Sequence, residues 1–241
     1  MMAADTSNLT VSPAPHMRGS DSVSKIMYNV LIALLPATLF GIYYFGMHAL
    51  LVIAGCVISA VATEMVWEKI RGTSGSSLDG SAALTGLFVA LIVPGGTPIW
   101  MGVLGSIVAI SLGKQIFGGL GFNFFNPALV GRAFLLASFP QALTTWDWEP
   151  MAFDWKVFEL TSGATPLASN ADVSVAGSGL NYLDLFLGRV GGCIGETSVA
   201  ALVIGFLYLV YKGYADWRVP SGYLGTMVIL TTFLGSRGPI F

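Results

Sequence analysis

Long apolar runs, broken at a few points by Gly, Pro and charge, organise the chain. Residues 26–63 contain no Asp, Glu, Lys or Arg over 38 positions. That is nearly twice the roughly 20 residues a helix needs to cross a hydrocarbon core. Gly46, Met47 and His48 lie near the middle of the run. The pattern therefore predicts two helices, 26–46 and 49–67. A second charge-free run covers residues 80–113, 34 positions. Pro94, Gly95, Gly96, Thr97 and Pro98 interrupt it, because Pro and Gly punctuate helices. Helices 80–94 and 98–113 follow. Further apolar spans are expected at 126–139, at 195–209 and at 219–234. The fold class this implies is an all-α polytopic membrane protein with about seven transmembrane helices.

Composition agrees with that class. Hydrophobic residues make up 54% of the 241 positions and charged residues 10%, against about 25% charged in a soluble domain. Mean hydropathy is +0.75. The net charge of −2 leaves no basic excess for a nucleic acid backbone. The two cysteines, Cys56 and Cys193, form neither a disulfide framework nor a CxxC metal motif. The first 25 residues are polar, with no short apolar core before a small-residue cleavage site. Insertion is expected through an uncleaved first helix.

The distribution of the 11 basic residues sets an expected orientation. With the N-terminus in the cytoplasm, Arg18, Lys25, Lys69, Arg71, Lys114, Lys212 and Arg218 all fall on the cytoplasmic side, as the positive-inside rule requires. Lys156 falls outside. Arg132 lies within a span, and Arg189 and Arg237 lie near external ends. This divides the chain into a cytoplasmic segment 1–25, a five-helix unit 26–139, an extracytoplasmic loop 140–184 and a last unit 185–241.

Two Gly-rich stretches, 118–127 and 188–197, adjoin apolar spans. Non-helical backbone at membrane depth is tolerated where protein covers it or water lines it. Such breaks mark ligand sites in some transporters, because a helix start offers free N–H groups to an anion. A close interhelical contact or a surface loop explains each stretch equally well.

The external loop carries Glu159-Leu160-Thr161-Ser162-Gly163-Ala164-Thr165-Pro166. This segment resembles the covalent flavin attachment motif, an acidic residue shortly before Ser-Gly-Ala-Thr, with Glu159 where Asp is more usual. Other segments carry the same resemblance in order. They are Leu78-Asp79-Gly80-Ser81, Gly113-Lys114-Gln115, Asn126-Pro127-Ala128, Gly131-Arg132-Ala133-Phe134 and Gly195-Glu196-Thr197-Ser198. Together they resemble the family that unites the D-type component of the Rnf electron-transport complex with the B-type component of the sodium-pumping NADH:quinone oxidoreductase. The short N-terminal region favours the Rnf type. The family fold has ten helices in two inverted halves, similar to the urea transporter. The seven spans here match all of the first half and the start of the second, with the last three helices absent.

The resemblance implies a component of an ion-translocating ferredoxin:NAD oxidoreductase in the bacterial inner membrane. Its partners would be the other membrane and peripheral subunits, membrane lipid, and a flavin transferase during maturation. FMN would be esterified through its phosphate to Thr165, and Ser162, Gly163 and Ala164 would let the loop enter the transferase. The resemblance also allows a second, non-covalent flavin such as riboflavin within the membrane, which no single residue here proves. Alternatives are a part of the quinone reductase type, or a non-redox channel or transporter of the same fold. The chain carries no Fe–S cysteine set and no dinucleotide fingerprint.

Other candidates come from chemistry and position. Glu196 and Thr197 sit where an apolar helix is expected to open, so Thr197 or Ser198 could cap it or contact flavin. Arg132, about six residues into a span, requires pairing, snorkelling or water. Structural pairing is the leading reading there, ahead of contact with a flavin or a neighbouring protein of the complex. Asp79 and Ser81 are expected to cap the third helix rather than bind an ion. Lys114 is expected to be an interfacial anchor. Glu64, about a turn from Lys69, is expected at the membrane interface. His16 and His48 are not expected to ligate metal. Phe122, Phe124 and Phe125 are expected to pack against lipid or helices. Trp146, Trp148 and Trp155 are expected in an external aromatic belt.

Overall fold

The computed structural model describes residues 21–72, 79–144, 182–188, 192–196 and 198–235. Helical segments lie at every predicted span. Helix α1 (Val23–Arg71) begins at Ser22, whose side chain accepts the Lys25 N–H. It ends at Gly72, a left-handed cap whose N–H returns to Glu68. Gly46, with φ 70° and ψ −152°, breaks it into two limbs. That conformation suits glycine, which lacks a Cβ to clash. The break falls where the sequence predicts the first two helices to part.

Helix α2 (Ser81–Leu91) and helix α3 (Ile99–Val108) flank the Pro94–Pro98 interruption. α3 runs on into a π-helical stretch (Ala109–Gln115). Helix α4 (Pro127–Ser138) starts from Asn126, whose side chain accepts the Ala128 N–H, with Pro127 in the first turn. Two short helices, α5 (Pro140–Thr144) and α6 (Tyr182–Leu187), lie at the edges of the predicted loop 140–184. The rest of that loop is outside the described residues. Helix α7 (Val199–Tyr211) and helix α8 (Arg218–Gly235) are the last of the described elements.

By length and composition α1 alone, among the described residues, is long and apolar enough to cross a membrane. The apolar segments Ser81–Leu91, Ile99–Gln115, Pro127–Ser138 and Val199–Tyr211 are each shorter than a full crossing. α1 packs on α2, α3, the π stretch and α7, and α4 covers α2, α3 and the π stretch. The shared core includes Phe45, Val52, Leu87, Val89, Met101, Leu135 and Ile194. Small residues bring the backbones close. A β-carbon at Gly86 would lie 2.6 Å from the Cys56 carbonyl oxygen, and one at Gly131 would lie 2.5 Å from that of Gly105. Among the described residues α8 packs against no other helix, and nearly all of its residues are exposed.

The bundle has two chemically distinct ends. At one, Tyr214 donates to Asp21 at 3.1 Å and Asp21 pairs with Lys25 at 2.5 Å. Gly80 there lies beside Met27 and Tyr28, and Arg71 donates to Gln115 at 3.2 Å. Lys69, Lys114 and Lys212 belong to the same helix termini. At the other end Tyr44 donates to the Leu187 carbonyl at 3.1 Å, and Trp100 meets Phe139 edge-on at 5.4 Å. Among the described residues, Lys25, Lys69, Arg71, Lys114 and Lys212, which charge bias assigns to one side of the membrane, thus gather at one end of the fold.

Candidate functional site

A cavity of about 310 Å³ opens among α1, α2, the π stretch and the 118–127 connection. Met27, Leu84, Phe88, Leu120 and Pro127 make its apolar wall. Ser81, Thr85, Lys114, Asn123 and Asn126 supply the polar positions. Its size is at the lower end of small-molecule pockets, roughly 300–1,000 Å³, and its mix of apolar wall and few polar groups is typical of them.

Behind this wall lies a buried ion pair. The Lys114 Nζ donates to Glu64 Oε1 at 2.6 Å, with side-chain exposures of 1% and 0%. It also donates to Ser81 Oγ at 2.5 Å. Gln115 Nε2 donates to the same Glu64 oxygen at 3.1 Å. Ser81 gives its hydroxyl hydrogen to Asp79 Oδ1 at 2.5 Å, and Asp79 also accepts the Ser81 backbone N–H at 2.7 Å. Arg71, Gln115, Glu64, Lys114, Ser81 and Asp79 form one continuous hydrogen-bonded chain.

The pair corrects two expectations. Lys114 does not reach outward as an anchor and Glu64 does not present its carboxylate at the surface; each neutralises the other inside the bundle. The cause is geometric. Val52, Cys56, Ala60 and Glu64 are all fully buried and fall four residues apart, so Glu64 continues the stripe of α1 that faces α2 and the π stretch. That spacing is visible in the sequence, whereas the partner, 50 positions away, is not. Asp79 does cap the start of α2, although the N-cap position belongs to Gly80, which is left-handed and has no side chain to offer.

The second candidate region lies where segment 192–196 meets the end of α2. The Ile194 N–H donates to the Val93 carbonyl at 3.1 Å, and the Gly195 N–H donates to Leu91 at 2.8 Å. These bonds take up carbonyls that a helix C-terminus leaves open. Cys193 is buried and interacts with both Glu196 and Arg132. Two of the predicted site residues therefore converge on one thiol. Arg132 is half-buried and Glu196 is exposed. The sequence places a helix start at Gly195, Glu196 and Thr197, but the helix begins later, at Val199. Ser198 is its cap, accepting the Ala201 N–H at 3.3 Å. Thr197 lies outside the described residues, as do Thr165, Ser162, Gly163 and Ala164. So do Lys156, Arg189, Arg237, His16 and the three tryptophans of the predicted belt. His48 Nε2 lies 3.0 Å from the Thr97 carbonyl oxygen. Phe122, Phe124 and Phe125 are exposed by 70%, 81% and 67%, a surface rather than an interior group.

The chain matches the family model described as NQR2, RnfD, RnfE over residues 10–241. It is 48% identical over 230 residues to the D component of the Na(+)-translocating ferredoxin:NAD(+) oxidoreductase complex of Acetobacterium woodii, covering 95% of this chain and 70% of that protein. It is 44% identical over 239 residues to the D component of the proton-translocating ferredoxin:NAD(+) oxidoreductase complex of Clostridium ljungdahlii, covering 96% and 71%. Identity to the D component of the ion-translocating oxidoreductase complex of Rhodobacter capsulatus is 35% over 249 residues, covering 93% and 70%.

Proposed function

The chain belongs to the NQR2, RnfD, RnfE family, and from that membership we propose that it is the D-type electron-transfer component of an ion-translocating ferredoxin:NAD oxidoreductase. It sits in the bacterial inner membrane and carries FMN covalently on Thr165. Ferredoxin and NAD chemistry belongs to other proteins of the complex, since this sequence has no Fe–S cysteine set. The observation that carries the flavin assignment is Ser162-Gly163-Ala164-Thr165 after Glu159. Pro166 fixes its own φ and biases Thr165 toward an extended conformation, which presents the hydroxyl to a transferase. Gathering of the basic helix termini at one end supports a cytoplasmic N-terminus and an extracytoplasmic flavin loop.

The cavity is the seat of the second, non-covalent flavin. Its donors fit a flat heteroaromatic ring rich in carbonyl and ring-nitrogen acceptors. Asn126 uses its carbonyl oxygen to cap α4, which leaves its amide N–H groups for a ligand. Lys114 retains one N–H for the same purpose, and Phe88, Leu120 and Pro127 supply apolar faces. A bound flavin supplies one- and two-electron transfer, while the protein supplies position and field. Arg132 and Glu196 both act on Cys193 near the break after α2, and Arg132 supplies a cation that a flavin phosphate could pair with.

In-gel flavin fluorescence of the denatured chain tests the main assignment. Wild-type protein from a host with the flavin transferase should give a covalent fluorescent band, and Thr165→Val should abolish it. A dark wild-type band would refute the assignment and leave the non-redox transporter reading.

A further inference from the structure

The cavity wall is electrically polarised. Lys114 is among the residues that line the cavity and Glu64 is not, so the positive member of the buried pair is the one beside the cavity and its counter-charge lies farther back. A lysine ammonium has three N–H donors. Lys114 gives one to Glu64 and one to Ser81. The third has no partner among the described residues. Ser81 cannot offset the charge toward the cavity, because its one O–H is given to Asp79. The remaining charges of the chain, Arg71 and Asp79, stand at its two ends. Arg71 is exposed and reaches the pair only through Gln115. Asp79 is joined to Lys114 through the Ser81 hydroxyl alone, so the field in the cavity is that of the Lys114 ammonium, reduced by the Glu64 carboxylate behind it and by Asp79 beyond Ser81.

Two-electron reduction of a flavin increases negative charge on its ring. A cation at the wall stabilises the reduced form more than the oxidised one, and the low dielectric of an apolar bundle strengthens the difference. We infer that Lys114 is a positioning residue that sets the redox preference of the flavin held in this cavity, and that Glu64 limits how far it does so. The inference rests on the proposed seat of the second flavin. It assigns the buried pair a role in electron transfer that stability alone would not require, since buried ion pairs contribute little net stability relative to apolar residues.

The test uses the full chain made in a host lacking the flavin transferase, so that Thr165 is bare, with riboflavin as the probe. Binding of riboflavin is measured first, and the bound flavin is then titrated with dithionite and followed by its visible absorbance. Glu64→Gln keeps the shape and the acceptor oxygen but removes the counter-charge. It should raise the ratio of affinities for reduced over oxidised riboflavin about tenfold, a potential shift of ~30 mV upward for a two-electron couple. The double variant Glu64→Gln/Lys114→Gln removes both charges of the pair together, leaves Asp79 and Arg71 as they are in every variant, and avoids a lone charge at either buried position. Its ratio should fall below wild type by about threefold or more. A purely structural pair would alter binding or folding without ordering the potentials this way. Any order other than Glu64→Gln above wild type above the double variant overturns the inference. Should Glu64→Gln fail to fold, the double variant against wild type decides alone. Absence of riboflavin binding to the wild-type chain would overturn the cavity assignment itself, whereas binding with unmoved potentials would overturn only the role of Lys114.

Discussion

Removing one member of the Glu64–Lys114 pair should be far more damaging than removing both. At 2.6 Å the gross attraction of two unit charges is about 6 kcal/mol at an effective dielectric near 20. Desolvating two ions that are essentially fully buried offsets most of it. Lys114→Met leaves the Glu64 carboxylate in an apolar interior without its counter-charge. Such a lone buried charge destabilises by about 3–5 kcal/mol. Glu64→Leu strands the ammonium at similar magnitude. The double variant Glu64→Leu/Lys114→Met removes both desolvation penalties and should lie within about 1 kcal/mol of wild type or above it. The four proteins form a double-mutant cycle. Loss of helical circular dichroism in detergent micelles, titrated with sodium dodecyl sulfate, measures it. A Lys114→Met protein as stable as wild type, or a double variant that loses the sum of the two single losses, would refute the pairing.

Three further outcomes are expected. Gly86→Ala places a methyl 2.6 Å from the Cys56 carbonyl oxygen and should force α2 off α1 at a cost of about 1–3 kcal/mol, read by the same titration; an unchanged midpoint would show that the helices are not in backbone contact. Ser198→Ala removes the cap of α7 and should cost about 1 kcal/mol, while Thr197→Ala should leave that helix unaffected; equal losses would restore Thr197 as the cap. The Asp21 carboxyl is held below its usual value of 3.8, first by the hydrogen bond from Lys25 and then by that from Tyr214. Its contribution to the tie between the α1 start and the α7–α8 connection is therefore full above the usual carboxylate value and is lost only as pH falls through the lower folded value. Carboxyl NMR of Asp21 should show a midpoint under 3.8 that rises in Tyr214→Phe, and an unshifted midpoint would break the tie.

The element boundaries show which physical signals the chain carries locally. Gly46, Pro94 and Pro98 mark the breaks because backbone conformation at Gly and Pro is an intrinsic property of those residues. The caps are partly legible. Ser198 is one of two candidates at the start of α7, and which hydroxyl reaches the free N–H depends on where the chain enters the helix. Lys114 is misplaced by sequence reasoning because a basic residue after an apolar run has the same local appearance at an interface as inside a bundle. The stripe of Val52, Cys56, Ala60 and Glu64 points inward, yet Lys114 and Ser81 come to it from other elements.

Hydrophobic run length, Gly and Pro placement, charge bias and the Ser162-Gly163-Ala164-Thr165 segment are properties of contiguous residues. The helical class, the breaks between helices and the family are legible from them before any folding is considered. Three features arise only on folding: Glu64 meets Lys114, Arg132 and Glu196 share Cys193, and a cavity opens beside Lys114. Each joins residues far apart in the chain, and their contact depends on how closely glycine lets the helices approach. That approach is a property of packed backbones, with no counterpart in any local pattern of residues.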